Sequence, residues 1–213
     1  MKPPARIWLW LGLALLLLVA WPMAKLIWVS LHTRSGAFTF ANYVSAYGRA
    51  RYVDSLWVSL LLAAETAAIS AVFAVPMAWA ISRTDMPWKG AMWGSVLGAF
   101  VLPPYLGAIG WILLAGPNSG WINRIWMAAT GASEGLFDIY TFGGLTFIIA
   151  IYSFPYIFIF TASALDLVSS EMEDAANTLG AGILRTTMRV TLPMVLPAIM
   201  GGAIVTFLEA IAL

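Results

Sequence analysis

Ser170-Glu171-Met172-Glu173-Asp174-Ala175-Ala176-Asn177-Thr178-Leu179-Gly180, followed after nine residues by Val190-Thr191-Leu192-Pro193, is a polar island in a chain built otherwise of apolar runs. Ser170 and Glu173 have the S-x-x-E spacing of a capping box, in which the serine oxygen takes the amide three residues on and the glutamate returns to the cap amide. Glu171, Glu173 and Asp174 fall in the first turn, where carboxylates favour the positive end of the helix dipole. Gly180 is placed to supply the left-handed residue that stops the helix. A second amphipathic stretch follows, with Leu184 and Met188 on one stripe and Arg185 and Arg189 on another at i,i+4 spacing. Pro193 then separates it from the next apolar run. The stretch is read as a helix–glycine–helix hook set between two apolar spans.

Composition fixes the class. The chain is 62% hydrophobic and 10% charged, against roughly 25% charged in an ordinary soluble domain, and is read as an integral membrane protein. Its 18 Gly and 11 Pro, spread through apolar segments, suit transmembrane helices better than soluble ones. A net charge of +1 makes no case for nucleic acid, and the absence of Cys excludes disulfides, thiolate metal sites and cysteine nucleophiles.

Five apolar runs approach the length of about 20 residues that crosses a hydrocarbon core. They lie near Ile7–Leu31, Leu56–Ile81, Met92–Ala115, Phe142–Leu165 and Met194–Leu213. The fold class expected is therefore all-α, five transmembrane helices with a cytoplasmic coupling loop over 166–192, in a single membrane domain over 1–213. The first run follows Lys2 and Arg6 but is long and lacks an A-x-A cleavage site, so it is read as a retained helix. Placing Lys2 and Arg6 inside also places Arg83, Lys89, Arg185 and Arg189 inside, with Arg34, Arg49, Arg51 and Arg124 outside, a modest positive-inside bias. His32–Asp54 and Gly116–Asp138 are then external, with Trp121 and Trp126 at headgroup level.

The chain shows little catalytic chemistry. It has no G-x-x-x-x-G-K-[ST] loop, and Gly116-Pro117-Asn118-Ser119-Gly120 lacks the lysine that reaches phosphates, so ATP hydrolysis is not expected here. The single His32 has no His or carboxylate at metal-ligand spacing and is read as an exposed loop residue. No catalytic residue, cofactor site or metal site is assigned.

Within the spans, Pro103-Pro104, flanked by Gly98, Gly107 and Gly110, cannot continue a regular hydrogen-bond ladder. Lipid tolerates such a break only where protein or a polar cavity satisfies the freed carbonyls. Glu65 and Glu209 are carboxylates inside predicted spans, groups that point inward to partners or to a water-filled path. Pro103, Pro104 and Glu209 are the candidates for a translocation pathway.

The run Asp174-Ala175-Ala176-Asn177-Thr178-Leu179-Gly180, with its nine-residue spacing to Val190-Thr191-Leu192-Pro193, resembles the E-A-A-x-x-x-G-x(9)-I-x-L-P signature of permease subunits of type I binding-protein-dependent ABC importers. Asp174 stands for the motif Glu and Val190 for the motif Ile, with Glu173 adjacent. The resemblance extends to Asn42-Tyr43 and to Leu102-Pro103-Pro104-Tyr105-Leu106-Gly107. The latter stretch is similar to the ferric-iron, 2-aminoethylphosphonate and polyamine branch.

That resemblance implies a non-catalytic subunit of the bacterial inner membrane that lines a substrate pathway. It implies a cytoplasmic N-terminus, a separate cytoplasmic ATP-binding subunit, an external substrate-binding protein and a second permease half or copy. Glu171, Glu173, Asp174, Ala175, Ala176, Gly180, Leu184 and Pro193 are the residues expected to couple to the ATPase. Ferric iron is the first substrate it suggests, with phosphonate, polyamine, thiamine and inorganic oxyanions open. Family members place two helices after the hook and this sequence shows one, which is the pattern of a truncated chain or the first half of a fused permease. The residues alone leave two alternatives: an ion-coupled secondary transporter using Glu65 and Glu209, and a membrane scaffold without a transport path.

Overall fold

The computed structural model describes residues 5–169 and 171–213, with side chains for Ile7 and from Trp10 onward. Lys2 and Ser170 lie outside the described residues. Eleven α-helices, α1 to α11, make up the described chain, with one isolated bridge between His32 and Phe38. Four helical runs are long and apolar enough to cross a membrane: Trp10–Ser30, Ala50–Arg83, Phe142–Leu167 and Ile183–Ile211. A bent pair, Lys89–Val101 and Pro104–Ala115, brings the number to five if counted as one span. By contact the chain falls into two units, divided between Trp57 and Val58.

In the first unit, α1 (Ala5–Leu15) passes through a π-helical turn, Leu16–Ala20, into α2 (Trp21–Ser30). Proline lacks a donor and its ring crowds the carbonyl four residues back, so a widened turn ahead of Pro22 relieves it. The exposed carbonyls that end α2 are taken by α3 (Ala41–Tyr47): Asn42 Nδ2 donates to Ser30 O at 3.0 Å and to His32 O at 3.2 Å. His32 is not a free loop residue. Its ring is half-buried, stacks on Trp28 at 3.9 Å, and donates from Nδ1 to Trp28 O at 2.7 Å.

The second unit is organised on α8 (Phe142–Leu167), whose Ile157, Phe158, Ala162 and Leu165 form the buried core. Helix α4 (Ala50–Arg83) meets it with the small residues Ser70, Ala74 and Ala78, all fully buried, a stripe that lets two backbones approach closely. Ser70 Oγ donates to Ala150 O at 3.1 Å. Helix α11 (Leu192–Ile211) adds Val195 and Ile199 to the core. It crosses α8 at Gly202, where a Cβ would stand 2.8 Å from Ile157 Cα.

The run Met92–Ala115 is not the straight span its composition suggests. Helix α5 (Lys89–Val101) and helix α6 (Pro104–Ala115) meet at an angle of 103°. Pro103 and Pro104 together withdraw two donors, which leaves the carbonyls of Ala99 and Phe100 without helical partners. Neither half, about 20 Å and 18 Å long, crosses a core of about 30 Å alone. Together they do. Their contacts climb α8 in reverse order: Trp93 on Phe158 at 4.9 Å, Phe100 on Tyr156 at 5.1 Å, Gly107 against Tyr152, and Trp111 on Phe147 at 5.5 Å.

A return passage is required by α4 and α8, which run parallel. Ser70 lies beside Ala150, and Arg83 donates to the carbonyls at the end of α8, so the chain must return across the membrane between them. The segment that includes α7 (Trp121–Thr130) therefore sits at the opposite end of this unit from the hook.

Candidate functional site: the hook and its anchor

Helix α9 (Glu171–Thr178) begins and ends on local hydrogen bonds. Ser169 Oγ accepts from Glu171 N at 3.2 Å, while Ser170, the cap expected from the sequence, lies outside the described residues. Glu173 turns its Oε1 to Arg83 Nε at 2.9 Å and to Thr191 Oγ1 at 2.8 Å.

At the other end Gly180 has φ of +82°, the left-handed conformation expected of it. Ala181 N donates to Ala176 O at 3.0 Å and Gly180 N to Asn177 O at 2.9 Å. These are the two bonds of a Schellman motif, which satisfies the carbonyls that a helix leaves bare.

The hook does not end in a separate second helix. Helix α10 (Ile183–Thr186), a π-helical turn Thr187–Thr191 and α11 form one continuous run from Ile183 to Ile211, so Pro193 does not divide it. Leu192 N donates to Thr187 O, five residues back, and the wider turn accommodates Pro193 within the run. The widened turn stands in the same relation to Pro193 as the earlier one does to Pro22.

Arg83 ties this assembly together. From the last turn of α4 its Nη2 donates to Leu165 O at 2.8 Å and Val168 O at 2.9 Å, capping the C-terminus of α8 where the helix dipole is negative. Its Nε holds Glu173. One guanidinium thus joins α4, α8 and α9, and Thr191 adds the start of the last span through the same carboxylate oxygen. The Arg83 and Glu173 side chains are 15% and 16% exposed, so water screens this pair less than an open surface pair.

The coupling residues read from the sequence divide by side. Glu171, Asp174, Ala175, Gly180, Leu184 and Pro193 are exposed, while Glu173 and Ala176 face the protein's own interior side and are half-buried. Leu179 and Leu184 are 89% and 72% exposed, large apolar side chains on the outer surface of the hook. Sequence reading placed Arg83 only as an inner charge. Its signal was a lone cation closing a long apolar helix, and the partner lay too far along the chain to be read.

The pathway candidates are scattered over α5, α6 and α11. Pro103 and Pro104 are exposed at the break, beside the Tyr152–Tyr156 stretch of α8. Glu209 is half-buried, and its Oε2 is sealed from solvent with no hydrogen-bond partner among the described residues. Thr66 Oγ1 and Thr206 Oγ1 are sealed in the same way. Among the described residues no group of three or more His, Cys, Asp or Glu is placed to hold a metal.

At the opposite end, Asn123 is fully buried and its side chain makes three bonds that close the loop: Nδ2 to Gly116 O at 2.9 Å and to Phe137 O at 2.7 Å, and Oδ1 from Phe137 N at 2.9 Å. Trp121 is exposed and Trp126 partly so. Arg124 packs its guanidinium 5.8 Å from the Trp121 ring.

Residues 51–213 match the family model described as binding-protein-dependent transport system inner membrane component. The molybdenum transport system permease protein ModB of Escherichia coli (strain K12) is 31% identical over 167 residues, covering 74% of this chain and 69% of that protein. The molybdate/tungstate transport system permease protein WtpB of Thermococcus kodakarensis is 29% identical over 160 residues, covering 75% of this chain and 57% of its own length. Among solved structures, a bacterial ABC transporter involved in the import of the acidic polysaccharide alginate superposes with a TM-score of 0.70 at 16% identity, covering 95% of this chain and 73% of the other.

Proposed function

The chain belongs to the family of binding-protein-dependent transport system inner membrane components, and from that premise we propose that it is the permease subunit through which an ABC importer moves an inorganic oxyanion. As a permease subunit it is a non-catalytic, multi-pass component of the inner membrane, which replaces the secondary-transporter and scaffold alternatives. Ferric iron, the first substrate suggested by the sequence, has no support among the relatives, which are named for molybdenum and for molybdate and tungstate. A tetrahedral oxyanion of that kind takes its place.

The hook is the coupling element in this reading. The observation that carries it is the short Schellman connection from α9 to the continuous run Ile183–Ile211, with α9 fixed to α4 and α8 by Arg83. A push on α9 from an ATP-binding subunit reaches the ends of three spans at once, which is what rocking of helices around a central pathway requires. Glu171, Asp174, Ala175, Leu179 and Leu184 form the contact surface. Glu173, Ala176 and Arg83 stay within the permease. The N-terminus and the hook are cytoplasmic, and the ATP-binding subunit, an external binding protein and a second permease copy complete the assembly.

Two measurements test this reading. Ala175→Arg and Leu184→Asp on the outer surface should abolish co-purification of the ATP-binding subunit while Thr178→Ser leaves it intact. Retention of the ATPase by both disruptive variants overturns the docking role. Uptake of labelled molybdate should be competed by tungstate and not by ferric citrate, and the reverse order overturns the oxyanion assignment.

A further inference from the structure

An apolar groove of about 470 Å³ runs down the second unit between α4, α8 and the start of the last span, with Val75, Pro76, Leu184, Met188 and Val195 among its walls. Thr187, Met188 and Thr191 of the π turn form part of its wall. Two hydroxyls on its walls are spent elsewhere: Thr161 Oγ1 donates to Ile157 O at 2.7 Å and Thr191 Oγ1 to Glu173. At the hook end it adjoins a polar pocket of about 340 Å³, with Trp79 and Thr187 shared between the two.

Arg83, Thr84, Glu173 and Asn177 line that pocket. The clamp leaves two charged atoms unused among the described residues, Nη1 of Arg83 and Oε2 of Glu173. The pocket therefore offers one cationic donor and one anionic acceptor side by side, at the level where three spans end. Val75 and Pro76 lie about 10–12 Å deeper along α4, within the hydrocarbon.

We propose that this groove and pocket form a binding site for a phosphoethanolamine phospholipid of the leaflet on the hook's side. The phosphate takes the free Arg83 N–H groups, the ammonium donates to Glu173 Oε2, and one acyl chain occupies the apolar groove. The head group is chosen by chemistry. A quaternary choline ammonium has no N–H to donate, and a glycerol head group brings an anion to Glu173 with no cation to meet it. Leu184 borders both this groove and the surface proposed to meet the ATPase, and an occupant of the groove would stiffen the clamp from the lipid side.

The complete permease reconstituted in phosphatidylcholine vesicles carrying a small share of photoreactive lipid tests the site. With the reactive group on the acyl chain, phosphatidylethanolamine should label the peptides containing Val75–Trp79 and Ile183–Val195 roughly fivefold to tenfold more than phosphatidylcholine or phosphatidylglycerol, the worth of one charge-assisted hydrogen bond. Thr187→Trp, which fills the neck, and Val75→Phe, which narrows the inner end away from the clamp, should each lower that labelling several-fold in protein that elutes as the wild type does. Equal labelling by the three head groups overturns the proposal, as does full labelling of both variants. Efficient disulfide formation between copies carrying Thr187→Cys, in a chain with no native Cys, also overturns it, since the groove would then be a protein interface.

Discussion

Arg83 and Glu173 stand ninety residues apart in the sequence and meet at 2.9 Å, the guanidinium also closing the end of α8 and the carboxylate also holding Thr191. The pair sets the position of the hook relative to three membrane helices. Arg83→Ala removes all of the donors and leaves a shielded carboxylate, at an expected cost of about 2–4 kcal/mol. Glu173→Gln keeps an acceptor for Thr191 and should cost about 1 kcal/mol. Thermal unfolding in detergent of both single variants and the double variant should yield a coupling of about 1–2 kcal/mol. Strict additivity would mean that the contact contributes nothing to holding the hook.

Gly180 is a conformational requirement with open space around it. Nothing lies within 4 Å of where its Cβ would be, yet its φ is +82°. Gly180→Val should therefore strain the turn by about 1–2 kcal/mol, and Gly180→Asn, which tolerates this region, by less. ATP hydrolysis stimulated by substrate-loaded binding protein should fall in the order wild type, Asn, Val. Equal loss in both variants would point to side-chain size instead.

Where α11 crosses α8, Gly202 has no room for a methyl group and its neighbour Gly201 does. A Cβ at Gly202 meets the Ile157 backbone at 2.8 Å, whereas at Gly201 it meets the Phe160 ring at 3.4 Å. Gly202→Ala should destabilise by about 1–3 kcal/mol and Gly201→Ala by less than 1 kcal/mol. Melting temperatures of the two variants decide the matter.

Asn123 holds the loop at the far end shut with three hydrogen bonds from a fully buried side chain. Asn123→Ala should loosen residues 131–141 at a local cost of about 2–4 kcal/mol. Asn123→Asp should be no better, because it sets a carboxylate against the carbonyls of Gly116 and Phe137. Limited proteolysis between Gly131 and Thr141 should be faster in both.

The hook and the α7 segment occupy opposite ends of the second unit. In intact cells an impermeant thiol reagent should label Ser133→Cys and leave Thr178→Cys untouched. Labelling of Thr178→Cys from outside would invert the proposed orientation.

Local features were legible because they depend on neighbours in sequence: the acidic first turn and the left-handed Gly180 of the hook, and the break at Pro103 in the third span, each follow from a residue's own stereochemistry. Features decided at long range were not. Nothing near Glu173 indicates that its carboxylate is claimed by Arg83 and Thr191. Pro193 was read as a stop because a proline interrupts a regular α-helix, but a π turn carries the helix through. The direction of the broken span followed only from the order in which Trp93, Phe100, Gly107 and Trp111 meet α8. The family signature identified the importer class, while the branch suggested by the short Pro-Pro stretch is not the one for which the reported relatives are named, a break in a helix being a backbone property that says little about cargo.

The π turn at Thr187–Thr191 also makes the aim of the hook a matter of counting. It closes on the fifth residue where an α-helix closes on the fourth, so it holds one residue more than a regular turn. Deleting one residue there restores an even helix and leaves the α9 side near its present phase, whereas deleting one from the regular helix beyond it turns everything on the α9 side by about 100° relative to the membrane bundle. Glu173 would then swing out of reach of Arg83 while every side chain of the outer hook surface survived, and the permease would carry an intact contact face pointing in the wrong direction.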